Sequence, residues 1–167
     1  DEALDVELIG DALRHAGVEP ILRCVDDEPS FRSALALKRP DAILADWTLP
    51  RFSGARALEI ALQEAPEVPF LFVSGTIAEH TALEALHRGA VDYVFKNQLE
   101  KLASAVLRAM GEAREHRALA TSEERYRRLF QTAKDGILIL AADSGQILEA
   151  NPYLGELLGC DPVSYTH

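Results

Sequence analysis

Apolar positions along the first hundred residues alternate between two periods. Leu4, Leu8, Ile9, Ala12 and Leu13 recur at helical spacing over 2–16, and Gly17 follows as a stop. PILRCV (20–25) reads as a short strand. Residues 28–38 return to helical spacing, with Pro29 in the first turn. DAILAD (41–46) is a short apolar run that ends in an acid. Ser53 supplies an N-cap for a helix over 53–64. VPFLFV (68–73) is a strongly apolar strand closed by Ser74-Gly75. A helix over 77–88 stops at Gly89, and VDYVF (91–95) is a last strand with Lys96 behind it. Near-continuous apolar strands alternating with amphipathic helices predict an α/β fold, a doubly wound parallel sheet covered on both faces. The chain opens on a helix, where such a sheet ordinarily opens on a strand.

The pattern changes after residue 97. Leu99, Leu102, Val106, Ala109, Ala113, His116 and Ala120 follow alternating steps of three and four, an a/d seam. Residues 98–121 therefore read as the last helix of the first domain continued into a helical or coiled-coil linker, with a homodimer along the seam as its natural partner. A new unit starts near Ser122, with Tyr126, Leu129 and Phe130 on one helical face. ILIL (137–140) and ILEA (147–150) flank a D-S-G turn and read as a hairpin, and Asn151-Pro152 opens another helix. The tail PVSYTH (162–167) is what CCT-GTC-TCT-TAT-ACA-CAT encodes, a transposon-end string used in preparing sequencing libraries. We read 161–167 as an artefact of that kind and leave it out of the fold.

Composition narrows the classes. Seventeen basic and 27 acidic residues leave a net charge of −10, most of it within 1–97. Such a chain repels phosphate backbones, so direct nucleic-acid binding is not expected. The apolar run Gly136 to Ala142 is far short of the ~20 residues a membrane span needs, and neither a span nor a secretory leader is expected. Cys24 and Cys160 have no metal-type spacing, which suits free thiols in a reducing cytoplasm. The acid run Asp26-Asp27-Glu28 reads as a solvated stretch, His80 and His87 read as surface residues, and nothing marks His116 of the linker as a phospho-donor.

Chemistry collects where the strands end, because ligands of such sheets bind outside the carboxyl edge. Asp46, Ser74 and Lys96 each follow a different strand. A carboxylate there can attack phosphorus and form an acyl phosphate. A lysine ammonium and a serine hydroxyl would meet the phosphoryl oxygens, and a divalent cation held by carboxylates would cover the remaining charge.

The segments ILADWTLPRFSG, PFLFVSGT and GAVDYVFKN resemble the response-regulator receiver family, over about residues 1–115. The resemblance implies a flavodoxin-like sheet of order 2-1-3-4-5. It implies Asp46 as phospho-acceptor, Ser74 and Lys96 as phosphoryl contacts, and Tyr93 as the aromatic that reports the state. It implies Mg²⁺ held by Asp1, Asp46 and the backbone carbonyl of Thr48. Its partner would be a histidine kinase or phosphotransfer protein. SEERYRRLFQTAKDGILIL and GQILEANPYLGELLG resemble the start of a PAS sensor domain, an α+β unit over 122–160.

Two features depart from the family pattern. Asn97 stands where proline usually follows the lysine, and the first strand with the first acid of the metal pair is absent. We therefore expect a receiver core over 1–97 that lacks its front, and a PAS unit cut short at its back. Two rival readings stay open. One is a pseudo-receiver that serves only as an interaction module. The other is a haloacid-dehalogenase-like phosphatase, although Asp46-Trp47-Thr48 lacks that family's second aspartate. Whether the parent is a sensor histidine kinase is likewise open.

Overall fold

The computed structural model describes residues 2–47, 52–75 and 79–159, and the side chains of 6–47, 52–75 and 82–159. The chain divides into two compact units, 1–115 and 116–167.

In the first unit, helices α1 (Glu2–His15), α2 (Glu28–Leu37), α3 (Gly54–Glu64) and α4 (Glu79–His87) alternate with strands β1 (Ile43–Ala45), β2 (Phe70–Ser74) and β3 (Asp92–Phe95). The strands form one parallel sheet of order β1-β2-β3, with Leu44 opposite Leu71 and Phe72 opposite Tyr93. β2 is the central strand and is buried throughout. Its side chains alternate between two cores, as a pleated strand requires. Phe70 and Phe72 join Phe31 and Leu35 of α2, Leu58 and Ile60 of α3, and Ala85 of α4. Leu71 and Val73 join Leu13 of α1 and Leu102, Val106 and Ala109 of the helix after β3. Helices therefore cover both faces, as the periodicity predicts.

The 20–25 segment corrects the sequence reading: it forms no strand. Ile21 is 95% exposed and Leu22 41%. Its pattern suits a strand, but a strand exists only through a hydrogen-bonded neighbour, and no described residue offers it a ladder. Only Val25 is drawn in, packing on the α2–α3 core.

The acid run beside it is also more than solvated. Asp27 caps α2, accepting the Ser30 N–H at 2.7 Å. Glu28 accepts bonds from Arg32 of its own helix and from Arg56 of α3. Arg32 also pairs with Glu64, and Arg56 with Glu59, so charge ties α2 to α3.

A 3₁₀ segment over Lys96–Lys101 leads into α5 (Leu102–Thr132). The expected seam divides here. Leu102, Val106 and Ala109 are buried in the first unit's own core, and Leu99 packs against it. The helix start expected near Ser122 does not occur, since α5 runs through to Thr132. No proline interrupts this stretch, and an exposed serine is tolerated within a helix.

In the second unit, β4 (Leu138–Leu140) and β5 (Ile147–Ala150) pair antiparallel, and Gly145 supplies the positive φ of their turn. Helix α6 (Pro152–Leu158) follows, capped by Asn151. Asn151 is fully buried. Its Oδ1 accepts the N–H groups of Ile137 and Leu154, and its Nδ2 donates to the Asp135 carbonyl. Tyr126 donates to Glu149 at 3.0 Å. Desolvation, with that bond second, raises the phenol above its usual value.

Candidate functional site

The parallel order β1-β2-β3 brings three strand ends side by side at the carboxyl edge. Asp46 follows β1, Ser74 ends β2 and Lys96 follows β3. The local reason is the same in each case. An apolar run holds each strand in the core, and a polar residue ends it at the carboxyl edge of the sheet.

Lys96 Nζ donates to Asp46 Oδ2 at 2.8 Å, joining residues fifty positions apart. The two side chains are 27% and 21% exposed. The pair is thus half-sheltered, where a charge-assisted bond is stronger than on an open surface yet both charges stay reachable. Ser74 is 1% exposed. Beside it, the space a Gly75 Cβ would occupy lies 3.8 Å from Lys96 Cδ. The serine therefore belongs to the same corner but is covered. Asp46 supplies a hard carboxylate oxygen of the kind Mg²⁺ prefers. Asp1 and Thr48, the other expected ligands, lie outside the described residues, and so does Cys160. No cluster of three ligating side chains occurs among the described residues.

Tyr93 lies on β3, with its ring 5.0 Å from that of Phe95 in an edge contact. It also packs against the α2–α3 core. Its hydroxyl is buried and has no hydrogen-bond partner among the described residues. Asp92, one residue earlier, accepts Tyr93 N–H at 2.7 Å and pairs with Arg108 of α5. A cleft of about 240 Å³ opens between β3 and α5, with Tyr93, Gln98, Lys101 and Arg108 on its walls.

Two more residues frame Asp46, Trp47 beside it in the chain and Gly54, which meets it only in three dimensions. Trp47 lies against Phe72, ring centroids 5.0 Å apart. Gly54, the first residue of α3, rests on the Asp46 carbonyl. The signal for Gly54 was a glycine directly behind the capping Ser53, where a helix start needs no glycine.

Comparison with known proteins agrees with this geometry. The model of the response regulator receiver domain matches residues 1–107, and that of the PAS domain matches 124–166. The phosphate regulon transcriptional regulatory protein PhoB of Pseudomonas aeruginosa is 32% identical over 119 residues, covering 66% of this chain and 50% of that protein. Regulatory protein LuxO of Vibrio cholerae is 33% identical over 63 residues, 38% of this chain and 14% of that one. The chain thus spans half or less of these relatives. The receiver domain of NtrX from Brucella abortus superposes with a TM-score of 0.58 at 27% identity, covering 66% of this chain and 94% of that domain. A CheY-like receiver from Methanospirillum hungatei, at 18% identity and a TM-score of 0.58, shares the fold. A parallel sheet wrapped on both faces, an Asp–Lys pair at its carboxyl edge and a family match over residues 1–107 together place this chain in the response regulator receiver family.

Proposed function

We propose that Asp46 accepts a phosphoryl group from a histidine kinase or phosphotransfer protein and that the modified state is relayed through α5 toward the PAS and output region. The observation that carries this reading is the Lys96–Asp46 contact at the edge of the sheet, with Ser74 on the strand between. In the step itself an Asp46 carboxylate oxygen attacks phosphorus. The donor's N–P bond breaks, its imidazole leaves with the electron pair and takes up a proton, and an acyl phosphate remains. Mg²⁺, held by Asp46 with Asp1 and the Thr48 carbonyl, would neutralise charge on the phosphoryl oxygens.

Phosphorylation puts about two negative charges where one stood. Lys96 then follows a phosphoryl oxygen in place of the carboxylate. Ser74, covered in the present state, reaches the group through a shift of the chain behind β2. Tyr93 supports a two-state reading, because a buried hydroxyl with no partner among the described residues favours a second arrangement in which it finds one. The surface that would change is the α4–β3 side, where Leu83 and Val91 are exposed. Moving such an equilibrium from 1:99 to 99:1 takes about 5.5 kcal/mol. Two or three charge-assisted bonds of roughly 1.5–3 kcal/mol each are of that size.

The same proposal places the chain in the cytoplasm, since kinase donors of this type act there. No helix of the described residues is long and apolar enough to cross a membrane. It also gives Ala113, His116 and Ala120, beyond the part of α5 buried in the first unit's core, to a homodimer contact.

The test is labelling with phosphoramidate and Mg²⁺. The parent chain takes one hydroxylamine-sensitive phosphoryl group, and Asp46→Asn takes none. Label that survives in Asp46→Asn moves the acceptor elsewhere, and an unlabelled parent returns the chain to a pure interaction module.

A further inference from the structure

We infer that Gly54 is a positioning residue for the acceptor: the absence of a side chain at the start of α3 is what lets the Asp46 peptide, and with it the carboxylate, sit where Lys96 meets it. This rests on the function proposed for Asp46. A Cβ placed on Gly54 would lie 2.3 Å from the Asp46 carbonyl oxygen and 3.2 Å from its carbonyl carbon. It would also lie 2.7 Å from Cε1 of Phe72. Gly54 does not have a positive φ, so space and not backbone conformation demands the glycine.

Something must give if a side chain is added, and the surroundings decide what. Phe72 is fully buried, with the rings of Trp47 and Phe70 about it at 5.0 and 5.1 Å. Helix α3 is held by Ala57, Leu58, Ile60 and Ala61, all in the core, and by the Ser53 cap on Arg56 N–H. Asp46 has only one short strand behind it, β1, which pairs with β2 alone among the described residues. With α3 and Phe72 fixed in the core, the collision falls on the Asp46 peptide at the edge of the sheet. A misplacement of about 1 Å at a reacting group lowers rates on the order of 100-fold. Gly54 therefore acts through Asp46 and touches no reactant.

The experiment uses the full chain with phosphoramidate and Mg²⁺. It compares Gly54→Ala with Ile60→Ala, a truncation at a fully buried core position of the same helix. Each variant is assayed at a temperature where circular dichroism shows it folded. We expect Gly54→Ala to lower the maximal labelling rate on the order of 100-fold, with the donor concentration for half-maximal rate moving much less. Ile60→Ala loses Tm but keeps the maximal rate within about twofold. The Phe72→Leu background removes the ring collision and leaves the carbonyl collision, so Gly54→Ala stays slow there relative to Phe72→Leu alone. That background also serves if Gly54→Ala by itself does not fold. A parent-like rate in Gly54→Ala, an equal rate loss in Ile60→Ala, or recovery of rate with Phe72→Leu overturns the inference and leaves Asp46 as acceptor. An unlabelled parent overturns both.

Discussion

At the residue scale, the Tyr93 hydroxyl carries the sharpest expectation. It is buried and has no hydrogen-bond partner among the described residues. Leaving a buried donor unmade costs roughly 1–3 kcal/mol, whereas its removal relieves that cost. Tyr93→Phe should therefore stabilise the unphosphorylated chain by up to about 1 kcal/mol, read as a higher urea midpoint at an unchanged slope. A lowered midpoint would mean that the hydroxyl has a partner in solution. The contrast with Asn151 is instructive. That amide is equally buried, but three bonds satisfy it, and it anchors a turn instead of storing a cost.

At the element scale, α2 and α3 are joined by charge as well as by packing. Arg56 first, and Arg32 after it, hold the Glu28 carboxyl below its usual range. A depressed carboxylate contributes stability that is fully present above its ordinary range and is lost as pH falls through the lowered folded value. Glu28→Gln should thus be less stable than the parent near neutrality. The gap should close on acidification and also shrink in high salt, because the pair is exposed. Urea midpoints from about pH 7 down to about pH 3 test this. A gap that does not vary with pH would assign the loss to helix packing. The position of Glu28 at the first turn of α2 adds the helix dipole to the same preference for negative charge.

At the scale of the whole molecule, the two compact units make separate predictions. Asn151→Ala removes three side-chain bonds and leaves the buried Ile137 N–H unpaired, while Leu154 N–H keeps the Asn151 carbonyl, a loss of about 3 kcal/mol. Amide hydrogen exchange should accelerate on the order of 100-fold at Ile137 while Leu71 and Val73 of β2 are unchanged. Equal acceleration in β2 would show a single cooperative unit. Much of the first unit was legible in the order of its residues. Helices α1 to α4 and the strands around 43–45, 70–74 and 92–95 follow from local periodicity and from glycine and cap positions, as do the strand-end residues Asp46, Ser74 and Lys96. Those depend on neighbours three or four positions away. What tertiary structure decided depends on neighbours far along the chain. Residues 20–25 fail as a strand because pairing, not pattern, makes one. Half of the seam on α5 turns inward because the sheet is there to receive it. Ser74 is covered, the Tyr93 hydroxyl is buried without a partner among the described residues and Gly54 meets the Asp46 carbonyl because α/β winding brings separate stretches of backbone into van der Waals contact. The residue types determined which chemistry is possible, and the fold determined which atoms are close enough to perform it.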